Sequence, residues 1–175
     1  FKGLNLSIET IEGLLKHNGP IDDLALVNKL IGVNNFRNMI NFKTFPSLES
    51  QISAISDDIA YNNHDIQDGI KANLFKLDEL IEIDFFKEIY KKYKKKINKE
   101  NYKIVTYQII RDSIDLMIKD LINNTKKNLY SNKIKSFKDV NKTSNLLVDF
   151  SDKIKNTDNE IRYFLKTKMY NNKNV

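Results

Sequence analysis

Apolar residues in this chain recur at intervals of three and four almost from end to end, and that spacing is the strongest constraint on its fold. Such spacing gathers side chains along one face of an α-helix, whereas a half-buried strand needs strict alternation. Five glycines and two prolines in 175 residues leave little turn chemistry for hairpins. The expectation is an all-α chain, a single region over residues 1–175 with no internal boundary strong enough to cut. Ser7 suits the N-cap of a helix carrying Ile8, Ile11, Leu14 and Leu15, stopped by Asn18-Gly19-Pro20. A further helix is expected around Leu24–Ile31, followed by an Asn-rich connection up to residue 44, and others over 48–70, near Leu77–Leu80, over 84–96 and over 100–127. Residues 131–145 read as a polar linker, with two last helices at 146–154 and 158–170.

Composition removes several chemistries. Cysteine is absent, which excludes disulfides, thiolate nucleophiles and thiolate metal sites within these residues. His17 and His64 are the only histidines, too few for a histidine-rich metal centre. No apolar run reaches the ~18 residues of a membrane span, and no secretory signal is visible, so a cytoplasmic protein without a membrane partner is expected. The net charge of +6 is uneven: residues 1–80 hold 11 acidic and 7 basic residues, and residues 81–175 hold 12 and 22. Nearly all of the positive charge is lysine, densest from Lys87 to Lys99, and lysine rises together with asparagine and isoleucine as an A/T-rich coding sequence would produce. The cluster reads as a solvated face, and nucleic acid is not the expected partner. Phe85, Phe86, Tyr90 and Tyr93 read as a core stripe with tyrosines at its edge.

The helix over 48–70 carries the most chemistry. At ~100° per residue, Leu48, Ile52, Ile55, Ile59, Ile66 and Ile70 share one face. The opposite face holds Asp57, Tyr61, His64 and Asp68, with Asp58 and Asp65 at its edge. Asp57, Tyr61 and Asp65 follow one another at intervals of four, which stacks two carboxylates and a phenol about one turn apart. No lysine or arginine stands three or four positions after Asp57 or Asp58. A solvated polar face is one reading of this pattern. A row of uncompensated acids that receives a cation or a sugar hydroxyl is the other. Two further candidates are open as well: His17 either meets the dipole of its helix or reaches a ligand, and Arg111 either pairs with Asp115 or contacts phosphate.

The run from Asp57 to Gly69 (DDIAYNNHDIQDG), with Phe45 to Gln51 before it, resembles the second-half signature of the bacterial dGTPase-like HD-domain deoxynucleoside triphosphate triphosphohydrolases. Glu12 to Pro20 is similar to an upstream block of that family, and Phe164 to Tyr170 to its C-terminal helix. The resemblance implies the C-terminal portion of an HD-domain helical fold, and hydrolysis of a dNTP to deoxynucleoside and tripolyphosphate at a divalent metal (manganese, magnesium or iron). It further implies that Asp57 is a metal ligand and that Tyr61 and Asp65 bind the substrate's sugar. The family's metal-binding histidine, its His-Asp pair and its catalytic histidine belong before Gly3. His64-Asp65 lies in the wrong motif to replace them. The chain is therefore expected to be a piece of a longer protein, without a catalytic residue of its own and inactive alone. Its partners would be the N-terminal half or further copies of itself. The alternative expectation is a non-catalytic relic or interaction module from a split gene.

Overall fold

The computed structural model describes residues 4–31 and 39–171, and among these every regular element is a helix. In chain order they are α1 (Ile8–Leu15), α2 (Leu24–Ile31), α3 (Leu48–Lys71), α4 (Leu77–Leu80), α5 (Asp84–Lys91), α6 (Tyr102–Ser131), α7 (Phe137–Val140) and α8 (Asp152–Leu165), which runs into a π-helical turn at Lys166–Tyr170. None of them is long and apolar enough to cross a membrane. Part of the Asn-rich connection expected after α2 lies outside the described residues. The chain forms two compact units, Phe1–Ser56 with Thr125–Asp149, and Asp57–Asn124 with Phe150–Val175.

In the first unit Ser7 caps α1 as its sequence predicts, its hydroxyl accepting from the Thr10 N–H at 3.3 Å. The helix ends at Leu15, and the turn after it reaches Gly19, whose φ of +103° is a left-handed conformation that costs glycine no steric penalty. Val27, Ile40 and Phe42 form a small core against Ile8, Ile11, Leu15, Ile21 and Leu24. Lys16 departs from the usual rule for lysine: it is fully buried, and its ammonium donates to Glu12 at 2.5 Å and to the Thr44 hydroxyl at 3.0 Å. Both partners are needed, because a buried charge without them is costly.

Residues 146–151 correct the sequence reading, for they are not helical. Their backbone groups are taken by side chains instead. The Gln51 carbonyl accepts from the N–H groups of Leu147 and Val148 at 2.9 and 3.1 Å, and Asn128 donates to the Leu147 carbonyl at 3.0 Å. Helical bonding is not needed where such partners satisfy the chain. A single helix, α8, then follows in place of the two expected.

The second unit holds the larger core: Ile66, Phe75, Leu77, Leu80, Ile83, Phe86, Ile89, Val105, Ile109, Ile110, Ile161 and Leu165. The aromatic stripe of α5 behaves as expected, with Phe86 fully buried and Phe85, Tyr90 and Tyr93 packed at the edge. The stripe of α3 is narrower than its sequence suggests. Ile59 and Ile66 are buried, while Ile52 is 48% exposed. Gly69 is where the Phe75 ring closes on α3, since a Cβ there would lie 2.3 Å from the ring. Gly69→Ala is expected to lower stability by about 1–2 kcal/mol, the overpacking cost exceeding the helix propensity gained. Urea denaturation checks this; an unchanged or higher midpoint would show that the ring can give way.

Candidate functional site

The residues singled out on α3 come out on its solvent side. Asp57 and Tyr61 are exposed, Tyr61 at 64%, and Asp65 is half-buried. Their spacing of four keeps them on one face of the continuous helix. The side of α3 turned to the protein holds two buried amides as well as isoleucines. Asn63 donates to the Ile59 carbonyl at 2.8 Å, and its own carbonyl accepts from the Ser113 hydroxyl at 2.7 Å. Asn62 donates to Asp158 of α8 at 2.8 Å. These bonds fix the rotation of α3 and so fix which face carries the acids.

The acidic row is less naked than its sequence suggests. Arg162, from α8, places its Nη2 3.0 Å from the Asp58 carboxylate and its Nε 2.7 Å from Asp158. Asp68 takes Lys71 at 3.2 Å. No cation three or four residues after Asp58 compensates it, but one arriving from 104 positions away does. Burial works against the Arg162 charge, and the hydrogen bond and field of Asp158, with Asp58, outweigh that and raise its pKa above the ordinary value. The Tyr170 hydroxyl, in the π-helical turn, donates to Asp65. Sequence reasoning passed over Asp158, Arg162 and Tyr170. The available signal was an acid followed by a base at four residues in the last helix.

That hydrogen bond, then burial and the Asp65 charge, push the Tyr170 phenol from 10.0 up to about 12. A phenol whose folded pKa is raised contributes stability that is fully present below pH ~10 and is lost as the pH climbs through ~12. In an absorbance titration of phenolate, one tyrosine should ionise about two pH units late. Tyr170→Phe should remove that late step; its persistence would assign the step to another ring.

The other candidates separate. Asp115 pairs with Lys119 at 2.6 Å, not with Arg111, which is exposed. His17 lines a cleft of ≈530 Å³ in the first unit together with Gly13, Ser47, Ser50 and Phe137. A cleft of ≈490 Å³ in the second unit is lined by Ile70, Lys71, Phe75, Tyr102 and Tyr107 among others, and does not include Asp57, Tyr61 or Asp65. Among the described residues no three His, Cys, Asp or Glu side chains gather as metal ligands would. Asp57 offers one carboxylate where a cation site needs several. By themselves these residues do not fit a metal centre.

Comparison with known proteins agrees with the motif blocks along the whole chain. It is 63% identical over 175 residues to the deoxyguanosinetriphosphate triphosphohydrolase-like protein of Pelagibacter ubique, all of this chain against 47% of that protein. The protein of the same name from Rickettsia prowazekii is 33% identical over 170 residues, 97% of this chain and 44% of its own length. That of a Caulobacter species is 35% identical over 172 residues, with 97% and 44% covered. No family model matches the chain. Over its whole length the chain is homologous to part of proteins named deoxyguanosinetriphosphate triphosphohydrolase-like. It spans about half the length of the curated relatives it matches, in their C-terminal portion.

Proposed function

We propose that this chain supplies one wall of a metal-dependent deoxynucleoside triphosphate triphosphohydrolase site, and that the rest of the site comes from polypeptide outside these residues or from another copy. In this reading Asp57 is one carboxylate ligand of a divalent cation, manganese, magnesium or iron. Tyr61 packs against the deoxyribose, and Asp65 accepts from its 3′-hydroxyl. Each role suits the group: a hard oxygen for a hard cation, a phenol that packs and donates, a carboxylate for a hydroxyl. Asp65 can serve both Tyr170 and a sugar, because a carboxylate has two oxygens and about four acceptor positions. Arg162 adds a guanidinium of the geometry that phosphate oxygens favour. The complete protein would release deoxynucleoside and tripolyphosphate, acting in the cytoplasm where dNTPs are consumed.

The observation that carries this reading is the row Asp57–Tyr61–Asp65 on one solvent-facing side of α3, with Arg162 of α8 and Tyr170 of the π-helical turn brought against its edge. The test is a tripolyphosphate assay with Mn²⁺ and each dNTP on the purified chain and on the complete protein. The complete protein should turn over and the isolated chain should not. Turnover by the isolated chain that Asp57→Ala abolishes would contradict the need for further residues.

A further inference from the structure

Asp158 is 8% exposed and ionisable, an expensive choice for the inner side of α8. It meets that expense with two donors, Asn62 Nδ2 at 2.8 Å and Arg162 Nε at 2.7 Å. Arg162 then reaches Asp58, one residue from Asp57, at 3.0 Å. Asn62 and Asp58 lie four apart, so this chain of bonds grips α3 at two successive turns. Holding α8 against α3 does not by itself require a charge. Phe164 of α8 already meets the Phe75 ring edge-on at 4.8 Å, and Ile161, Leu165 and Ile66 are buried in the same core. A well-packed apolar pair commonly does that work as well as a buried ion pair does. What a charge adds is direction. With Nε held by Asp158 and Nη2 by Asp58, the guanidinium plane is fixed, and no described residue engages Nη1.

We propose that Asp158 is a positioning residue: it sets the Arg162 guanidinium so that its unengaged edge meets the phosphates of a deoxynucleoside triphosphate beside the Asp57 row. This rests on the reading of the site given above. The experiment uses the complete protein with dGTP and Mn²⁺. Asp158→Asn keeps the size and removes the charge, so KM for dGTP should rise about tenfold while kcat falls less than about threefold, the pattern of lost ground-state binding. Asp158→Glu keeps the charge and should recover most of that KM. Asn62→Ala cuts the other bond of Asp158 and should lower the melting temperature while moving KM less than about twofold. The thermal shift produced by a non-hydrolysable dGTP analogue should shrink in Asp158→Asn and persist in Asn62→Ala. An unchanged KM in Asp158→Asn, or an equal rise in Asn62→Ala, would overturn the proposal and leave a structural staple. If instead Asp57→Ala leaves turnover intact, the reading of the site fails, whatever Asp158 does.

Discussion

Asp57→Ala in the complete protein is expected to cut tripolyphosphate release from dGTP by on the order of 10³-fold or more. A metal centre contributes several kcal/mol of charge stabilisation to such a reaction, and about 4 kcal/mol corresponds to about 10³ in rate. Asp57 is exposed on its helix, so its truncation removes little buried surface. Surface substitutions of that kind stay within about 0.5 kcal/mol of wild-type stability. Activity and stability should therefore separate: a large loss of rate with a denaturation midpoint that hardly moves. Asp58→Ala is the matched control. Its carboxylate is held by Arg162, so its effect should run through KM. Equal turnover in wild type and Asp57→Ala would place the chemistry elsewhere.

The largest effect on stability should come from Phe86→Ala. The ring is fully buried in the core of the second unit, and it meets Phe85 edge-on with centroids 5.5 Å apart. Removing it forfeits the transfer energy of the ring and leaves a cavity among Phe75, Leu80, Ile89 and their neighbours, a cost of about 3–5 kcal/mol. Against the ~5–15 kcal/mol typical of a whole domain, that is a large fraction. The denaturant midpoint should fall accordingly, while Lys94→Ala, on the exposed lysine face, should stay within about 0.5 kcal/mol. A loss under about 1 kcal/mol in Phe86→Ala would mean that the core closes over the gap.

Much of this architecture is legible in the sequence because helices advertise themselves locally. Ser7, Asn18-Gly19-Pro20 and the isoleucine spacing of α3 depend only on neighbours within a turn or two, and α1 and α3 begin and end within a residue or two of where those signals put them. Residues 146–151 show the limit. Leu147, Val148 and Phe150 have the hydrophobicity of a helix face, but Gln51 and Asn128 claim the backbone of that stretch, and such partners have no local signature. The site divides in the same way. The row at 57, 61 and 65 follows from helical spacing alone. Its neighbours Arg162, Asp158 and Tyr170 come from about a hundred residues downstream, and periodicity carries no information about which distant helix supplies a counter-ion. Asn62 is polar by type and still buried, because Asp158 is there to meet it.

Manganese binding by the complete protein puts the role of Asp57 to the most immediate test. Titration of the metal-free protein with Mn²⁺, without nucleotide, should show saturable binding in the wild type that weakens at least about tenfold in Asp57→Ala. The same Mn²⁺ affinity in both proteins would show that the carboxylate at the head of the row never touches the cation.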